Sequence, residues 1–199
     1  MMREIWDFIL YLFASAVAQN IVLTTGLGSS MLMRVVRHPK DILPFSAILG
    51  GFSVLTVAIC YPLDDLIGTG VWAKLLRPLM IAAVVAVLYC IAHAILKRAC
   101  PAFYIRMAKF LPLAAFNNLV IGVALICNHN FTTTFFGAIG LTLGGCAGFI
   151  LLSLVTAEGI ERVDNPDIPP AFRGLPIILV FVGLLALAVL GFAPAVPLI

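Results

Sequence analysis

Six stretches of this chain stay apolar for about 18 residues or more, the length that carries a helix across roughly 30 Å of hydrocarbon. They run Ile5–Leu27, Ile42–Leu63, Pro78–Leu96, Phe110–Cys127, Phe135–Thr156 and Leu175–Phe192. In lipid every backbone N–H and C=O must be satisfied within the segment, so runs of this length predict helices. The expected fold is all-α: one integral membrane domain over residues 1–199 with six transmembrane helices. Composition agrees, with 63% hydrophobic and 11% charged residues against roughly a quarter charged in soluble proteins. A soluble domain of this length could not hide that much apolar surface, so a soluble enzyme and a disordered chain are excluded. The 12 Lys+Arg form no basic block that could track phosphates, so the bilayer is an expected partner and nucleic acid is not.

The polar stretches between runs are short: Arg34–Asp41, Lys97–Lys109 and Glu158–Arg173. At the N-terminus, Arg3, an apolar run and Ala16-Val17-Ala18 imitate a cleavable secretory signal. Glu4 and Asp7 spoil the basic region such a signal needs, and the run continues through Ile21, Val22 and Leu23. The segment is therefore expected to stay as the first span. Lys and Arg fix the orientation. One side would hold Arg3, Lys74 and Arg77; the other would hold Arg34, Arg37, Lys40, Lys97, Arg98, Arg106, Lys109, Arg162 and Arg173. This three-against-nine asymmetry predicts both termini outside, with the loops after spans 1, 3 and 5 in the cytoplasm.

The halves have similar layouts, one over about residues 5–96 and the other over about 105–197. Each opens with a span that carries asparagine: Ala18-Gln19-Asn20-Ile21-Val22-Leu23 in the first, Ala115-Phe116-Asn117-Asn118-Leu119-Val120 in the fourth. Three spans per half turn the second half upside down, the inverted-repeat arrangement whose sites lie near the bilayer midplane. Spans 1 and 4 are the candidates for a break. Apolar character in span 1 resumes past Thr24-Thr25-Gly26-Leu27-Gly28-Ser29-Ser30 and reaches Val36, too far for one straight crossing. A broken or re-entrant helix fits, and so does a tilted helix followed by an interfacial turn.

Several residues could carry chemistry or packing. Gln19, Asn20, Asn117 and Asn118 are amides at membrane depth. They should face the bundle interior, either as interhelical hydrogen-bonding groups or as a polar lining for an ion or electron path. His93 lies one turn from Lys97 at the cytoplasmic end of span 3. It is either part of such a path, because intramembrane ionisable groups often are, or a solvated capping residue. Gly140, Gly144 and Gly148 form a small-residue stripe, broadened by Gly137 and Gly145, that suits close helix packing within the chain or against a partner. Asp64-Asp65 reads as an interfacial boundary. The five Cys lack C-x-x-C spacing, so no metal site is expected; Cys60 and Cys127 would lie on the same side of the membrane, where a disulfide could form.

Phe110-Leu111-Pro112-Leu113 with Asn117 and Gly122-Val123-Ala124-Leu125 resembles the fourth span of the Rnf complex A-type membrane protein and its relative, the E-type protein of the Nqr complex. Further likenesses are Asn20-Ile21-Val22-Leu23 with Gly28, Cys100-Pro101-Ala102-Phe103-Tyr104, and Glu161-Arg162 with Asp167-Ile168-Pro169-Pro170-Ala171-Phe172-Arg173-Gly174. The ending Gly183-Leu184 to Leu190-Gly191-Phe192 also fits, so the likeness spans nearly the whole chain. It implies a multi-pass subunit of a bacterial-type inner membrane that pairs with a homologous membrane subunit of opposite orientation and with other Rnf/Nqr-like subunits. It also implies an intramembrane 2Fe–2S cluster, two Cys from each member of the pair. The ligand positions carried over are Ser30 and Asn118, and neither is Cys. Cys127 lies nine residues beyond Asn118, roughly 13 Å along a helix. An acidic residue common in span 3 of the family is His93 here.

The resemblance implies a membrane subunit of an ion-translocating electron-transport complex, without a cluster or other cofactor bound by this chain alone. The missing thiolates leave a second reading: a non-redox paralogue acting as membrane scaffold, ion conduit or transporter. In either case the chain is at most a non-catalytic subunit of a translocase. The topology is tested by labelling single-Cys variants in intact cells. Positions 37 and 98 should react only after the membrane is permeabilised; labelling of either from outside contradicts the orientation.

Overall fold

The structure is a computed structural model that describes residues 2–18, 20–68, 70–99, 101, 104–105, 108–127, 134–163, 169 and 172–192. All regular structure among the described residues is helical. The first apolar stretch divides into α1 (Met2–Phe13), a π-helical segment (Ala14–Ala18), α2 (Ile21–Thr25) and α3 (Ser29–Val35). Next come two long helices, α4 (Pro39–Ile67) and α5 (Val71–Ala99). The fourth stretch divides into α6 (Leu111–Ala115) and α7 (Asn118–Ile126). The long α8 (Phe135–Val163) and α9 (Leu175–Phe192) follow. The helices α4, α5 and α8 are long and apolar enough to cross a membrane. Leu111–Ile126 and Leu175–Gly191 form shorter apolar stretches.

Local chemistry accounts for the boundaries. Pro39 opens α4 at its first turn, where its missing N–H costs nothing. Gly26 ends α2 and Gly28 precedes α3, both left-handed at φ 71° and 81°, so a second break follows the first within eight residues of Asn20. The small-residue stretch from Thr24 to Ser30 is thus a true interruption; the tilted-helix alternative for span 1 does not hold. Helix α5 starts earlier than the hydropathy run and carries Pro78 inside it.

The centre of the bundle is the antiparallel pair α4 and α8. Phe45 meets Phe149 at 6.0 Å between ring centroids, Gly50 faces Cys146, and Tyr61 meets Phe135 at 5.6 Å. Phe45, Leu49, Val57, Leu141 and Phe149 are fully buried there. Outward faces stay apolar instead of turning polar: Leu79, Val87 and Ile91 on α5, and Leu179, Leu184 and Leu187 on α9, are exposed. That pattern suits hydrocarbon around the bundle better than water.

The packing partners follow a rule. Helix α8 packs on α1 and its π segment, on α4 and on α9, while α4 packs on α6 and α7, on α8 and on α5. Helix α5 touches α6 and α7, as α9 touches α2; α3 touches α4, as α7 touches α8. Each interrupted span thus packs on the central helix of the other half, although the contact of α5 with α6 has no printed counterpart between α9 and α1.

The glycine stripe of α8 lies against the first helix of the same chain. A Cβ on Gly140 would fall 2.5 Å from the Phe8 carbonyl oxygen, and one on Gly144 would collide with the Leu12 carbonyl and Ser15 Oγ. One on Gly148 would lie 2.8 Å from Asn20 Nδ2. Because two of these neighbours are backbone, they cannot give way. Gly144→Ala should lower detergent-phase stability by about 1–3 kcal/mol through overpacking. Gly51→Ala, into open space on α4, should be neutral or gain up to about 1 kcal/mol from helix propensity. Thermal unfolding of the purified pair of variants checks this, and equal melting temperatures would contradict the packing.

Candidate functional site

Two interrupted helices need partners for the backbone groups they free, and each uses an asparagine. Asn20 caps α2: its Oδ1 accepts from Val22 N at 3.0 Å and Leu23 N at 3.4 Å. Its Nδ2 donates to the Ala16 carbonyl inside the π segment and to the Gly148 carbonyl of α8, both at 3.2 Å. Asn117 caps α7 in the same way, Oδ1 accepting from Leu119 N at 2.9 Å. Both side chains are buried. Asn117 Nδ2 is also buried and has no hydrogen-bond partner. An orphan donor of this kind is costly away from water, which marks the spot as one where a polar group is wanted.

The breaks interlock. A Cβ on Gly28 would sit 3.4 Å from Leu119 Cβ and 3.6 Å from Asn117 Oδ1, so the turn before α3 rests on the start of α7. Leu27, held between two left-handed glycines, presses into the gap at Gly122, where a Cβ would lie 2.5 Å from its methyls. Gly122 is therefore a close-approach residue, Gly28 is glycine for its left-handed backbone, and the neighbours of both cross from one half of the chain to the other.

Other candidates fall at different places. Gln19 lies outside the described residues. Asn118 is exposed, which corrects the expectation that all four amides face inward. Asn117 is the extended cap residue whose side chain turns back to the Leu119 N–H, whereas Asn118 is the first residue of α7 and lies on its outer face. Ser30 is exposed too and lines a cavity with Met33, Arg34, Arg37 and Leu175. His93 is half-buried in an aromatic row. Its ring lies 5.3 Å from Tyr104 and 5.9 Å from Tyr89, and Tyr89 lies 5.6 Å from Phe116 at the break before α7. The Tyr104 hydroxyl reaches His93 Nδ1 at 3.4 Å. Tyr89 and His93 are four residues apart on α5, so the sequence shows that pair; Tyr104 and Phe116 join it only through tertiary packing.

Asp64 pairs with Arg77 at 2.5 Å across the turn between α4 and α5, so it anchors that turn. Cys60, Cys90, Cys127 and Cys146 stand outside any disulfide. No disulfide joins Cys60 to Cys127: the Cys127 Sγ faces the Ala138 carbonyl at 3.6 Å, and Cys100 is outside the described residues. Among the described residues no three His, Cys, Asp or Glu side chains converge as a metal group.

These features define a class: helical membrane proteins with two Asn-capped, interrupted helices that meet at the centre of the bundle. The family model described as Rnf-Nqr subunit, membrane protein, matches residues 8–196. The chain belongs to that family. It is 33% identical over 188 residues to the A component of the ion-translocating oxidoreductase complex of Pasteurella multocida, covering 94% of this chain and 96% of the relative. The component of the same name from Syntrophotalea carbinolica is 30% identical over 191 residues, covering 96% and 98%. The A component of the Na(+)-translocating ferredoxin:NAD(+) oxidoreductase complex of Acetobacterium woodii is 30% identical over 190 residues, covering 93% and 96%.

Asn118, on the outer face of α7, makes a contrast with Asn20. Asn20→Ala removes a cap and leaves the Ala16 and Gly148 carbonyls without their donor, so it should cost about 1–3 kcal/mol. Asn118→Ala, on the outer face, should stay within about 0.5 kcal/mol. Unfolding of both variants in the same detergent measures this, and a larger loss at 118 would contradict the assignment of faces.

Proposed function

We propose that this chain is the A-type membrane subunit of an Rnf/Nqr-like ion-translocating electron-transport complex and binds no iron–sulfur cluster of its own. The observation that carries the first part is the family match over residues 8–196, together with nearly full-length relatives named as the A component of such complexes. The chain crosses an inner membrane six times with both termini outside, as the Lys and Arg distribution supports. Its halves are inverted repeats. The packing of each interrupted span on the central helix of the other half, and the matching caps at Asn20 and Asn117, support that arrangement. Its partners are a homologous subunit of opposite orientation and the other subunits of such a complex.

The donor set at the positions the resemblance assigns to cluster ligands does not fit a 2Fe–2S cluster. Ser30 offers a hydroxyl and Asn118 a neutral amide, whereas clusters are held by thiolates, with His an occasional substitute. Both side chains lie on the outside of the bundle. The described thiols serve elsewhere: Cys127 against α8, Cys146 beside Gly50, Cys60 in the core and Cys90 on an outer face. What the chain supplies is a rigid interior, with Asn20 and Asn117 holding the two breaks and Tyr104, His93 and Tyr89 lining the way from the cytoplasmic end of α5 to one of them. The same chemistry favours a second reading, a non-redox paralogue that serves as scaffold, ion conduit or transporter.

Iron analysis and electron paramagnetic resonance of the purified, dithionite-reduced chain test the cluster assignment. No stoichiometric iron and no 2Fe–2S signal are expected. A signal that survives replacement of all five Cys, or one lost on replacing any one of them, contradicts it. Ser30→Cys with Asn118→Cys, co-expressed with a Cys-bearing partner subunit, should let a signal appear. Affinity purification from the native membrane separates the two readings: flavin- and ferredoxin-type subunits should accompany the chain, and recovery of the chain without them favours the paralogue.

A further inference from the structure

The outward face of α3 is polar. Met31, Leu32, Val35 and Val36 are buried on its inner side, while Ser30, Arg34 and Arg37, spaced four and three residues apart, are exposed. Arg37 stands in the turn that follows α3. A cavity of about 410 Å³ opens here, lined by Ser30, Met33, Arg34, Arg37 and Leu175. Other outward faces are apolar, as at Leu79, Val87 and Ile91 on α5 and Leu184 and Leu187 on α9. Among the described residues no carboxylate is within ion-pair reach of the Arg34 or Arg37 guanidinium. Asp41 pairs with Lys109 at 3.6 Å, and Glu158 pairs with Arg162.

Asn118 extends the same surface. The turn at Gly28 rests on Leu119, so Ser30 and Asn118 flank the contact between the two breaks, and both are exposed. A hydroxyl and an amide turned to hydrocarbon lack hydrogen-bond partners, and membrane proteins turn such groups towards protein. A phospholipid bound at the arginines would lay its acyl chains against Ser30 and Asn118, and a phosphate ion would leave the amide bare. A protein surface that carries carboxylates suits all four side chains. Guanidinium forks grip a carboxylate through paired hydrogen bonds, and polar groups beside it can meet the hydroxyl and the amide.

We infer that this face docks a carboxylate-bearing segment of the homologous membrane subunit, with Arg34 and Arg37 as the anchors and Ser30 and Asn118 inside the contact. The inference rests on the reading of the chain as an A-type subunit and names the residues that hold the pair together. The segment lies at the cytoplasmic end of the partner's helices, the side to which the Lys and Arg distribution assigns both arginines.

The test uses the complex purified from native membranes through the tagged full-length chain. In Arg34→Gln/Arg37→Gln, recovery of the homologous subunit should fall roughly tenfold or more, as expected when one side of a close charge pair is removed. Arg34→Lys/Arg37→Lys keeps the charge and should keep most of the recovery. The lysine amines it introduces should form amide cross-links to Asp or Glu of the homologous subunit under a zero-length carbodiimide, read by peptide mass spectrometry. Should the Gln variant fail to fold, these cross-links decide. Lys97→Gln/Arg98→Gln, at the end of α5, should leave recovery unchanged. Full recovery in a folded Gln variant overturns the inference, and so does the absence of cross-links from both positions in a complex that contains the homologous subunit. A phospholipid or phosphate held by the wild type and lost from the Gln variant, with recovery unchanged, assigns the arginines to that anion and also overturns it. Purification of the wild-type chain without any homologous membrane subunit contradicts instead the reading on which the inference rests, and the inference falls with it.

Discussion

Backbone groups set free inside hydrocarbon must find a partner, and in this chain that requirement governs the rest of the structure. Span 1 stops being an α-helix at Ala14, passes through a π-helical segment and breaks at Asn20. One asparagine side chain then joins both sides of the break, accepting from Val22 and Leu23 and donating to Ala16. Its fourth bond, to the Gly148 carbonyl, ties the break to α8. The approach is close because residues 140, 144 and 148 lack side chains: any Cβ there would enter the backbone of the first helix or the Asn20 amide. The cap and the glycine stripe are one device. Each would lose its purpose without the other.

The same device is repeated with a difference. Asn117 caps α7 through its Oδ1, as Asn20 caps α2, but its Nδ2 finds no carbonyl on the facing helix. The two halves share a packing scheme in which α4 and α8 form the centre and each interrupted helix leans on the central helix of the other half. The unsatisfied donor is where the second half departs from the first. It lies beside Gly28, at the contact between the two breaks.

Much of this was legible in the sequence because it is written in one-dimensional signals. Run length located the long apolar helices, amides in an apolar context flagged the residues that hold both breaks, and small residues from Thr24 to Ser30 marked the second interruption. What the sequence hid depends on phase and distance. Asn117 and Asn118 are equally polar, and only the helix start that falls between them turns one inward as a cap and leaves the other out. The stripe on α8 has a clear spacing but names no partner. The Tyr104–His93–Tyr89–Phe116 row joins α5 to a break in another helix, and no local pattern foretells its two ends. The π segment has an ordinary Ala-Ser-Ala-Val-Ala sequence; the tertiary contact of Ser15 Oγ with the Leu141 carbonyl at 3.0 Å accompanies it. A likeness to a family conveys the scaffold and leaves the site to be judged by its own donors, which at positions 30 and 118 are oxygen and amide.

The central claim is that the two breaks touch across the halves of the chain, the turn at Gly28 resting on the start of α7. Oxidative cross-linking in membranes measures it most directly, with Cys placed at positions 28 and 119 in a chain whose five native Cys are replaced by Ala, and Gly28→Ala in the same background as the control for the strain a side chain meets at φ 81°. A Cβ at 28 would lie 3.4 Å from the Leu119 Cβ, close to the roughly 3.5–4.5 Å that a disulfide spans. Rapid, near-complete intramolecular linkage between 28 and 119, with none between 28 and a Cys at Val87 on the outer face of α5, is the expected result. Failure of the 28–119 pair to link in a chain that inserts and purifies normally would contradict the account.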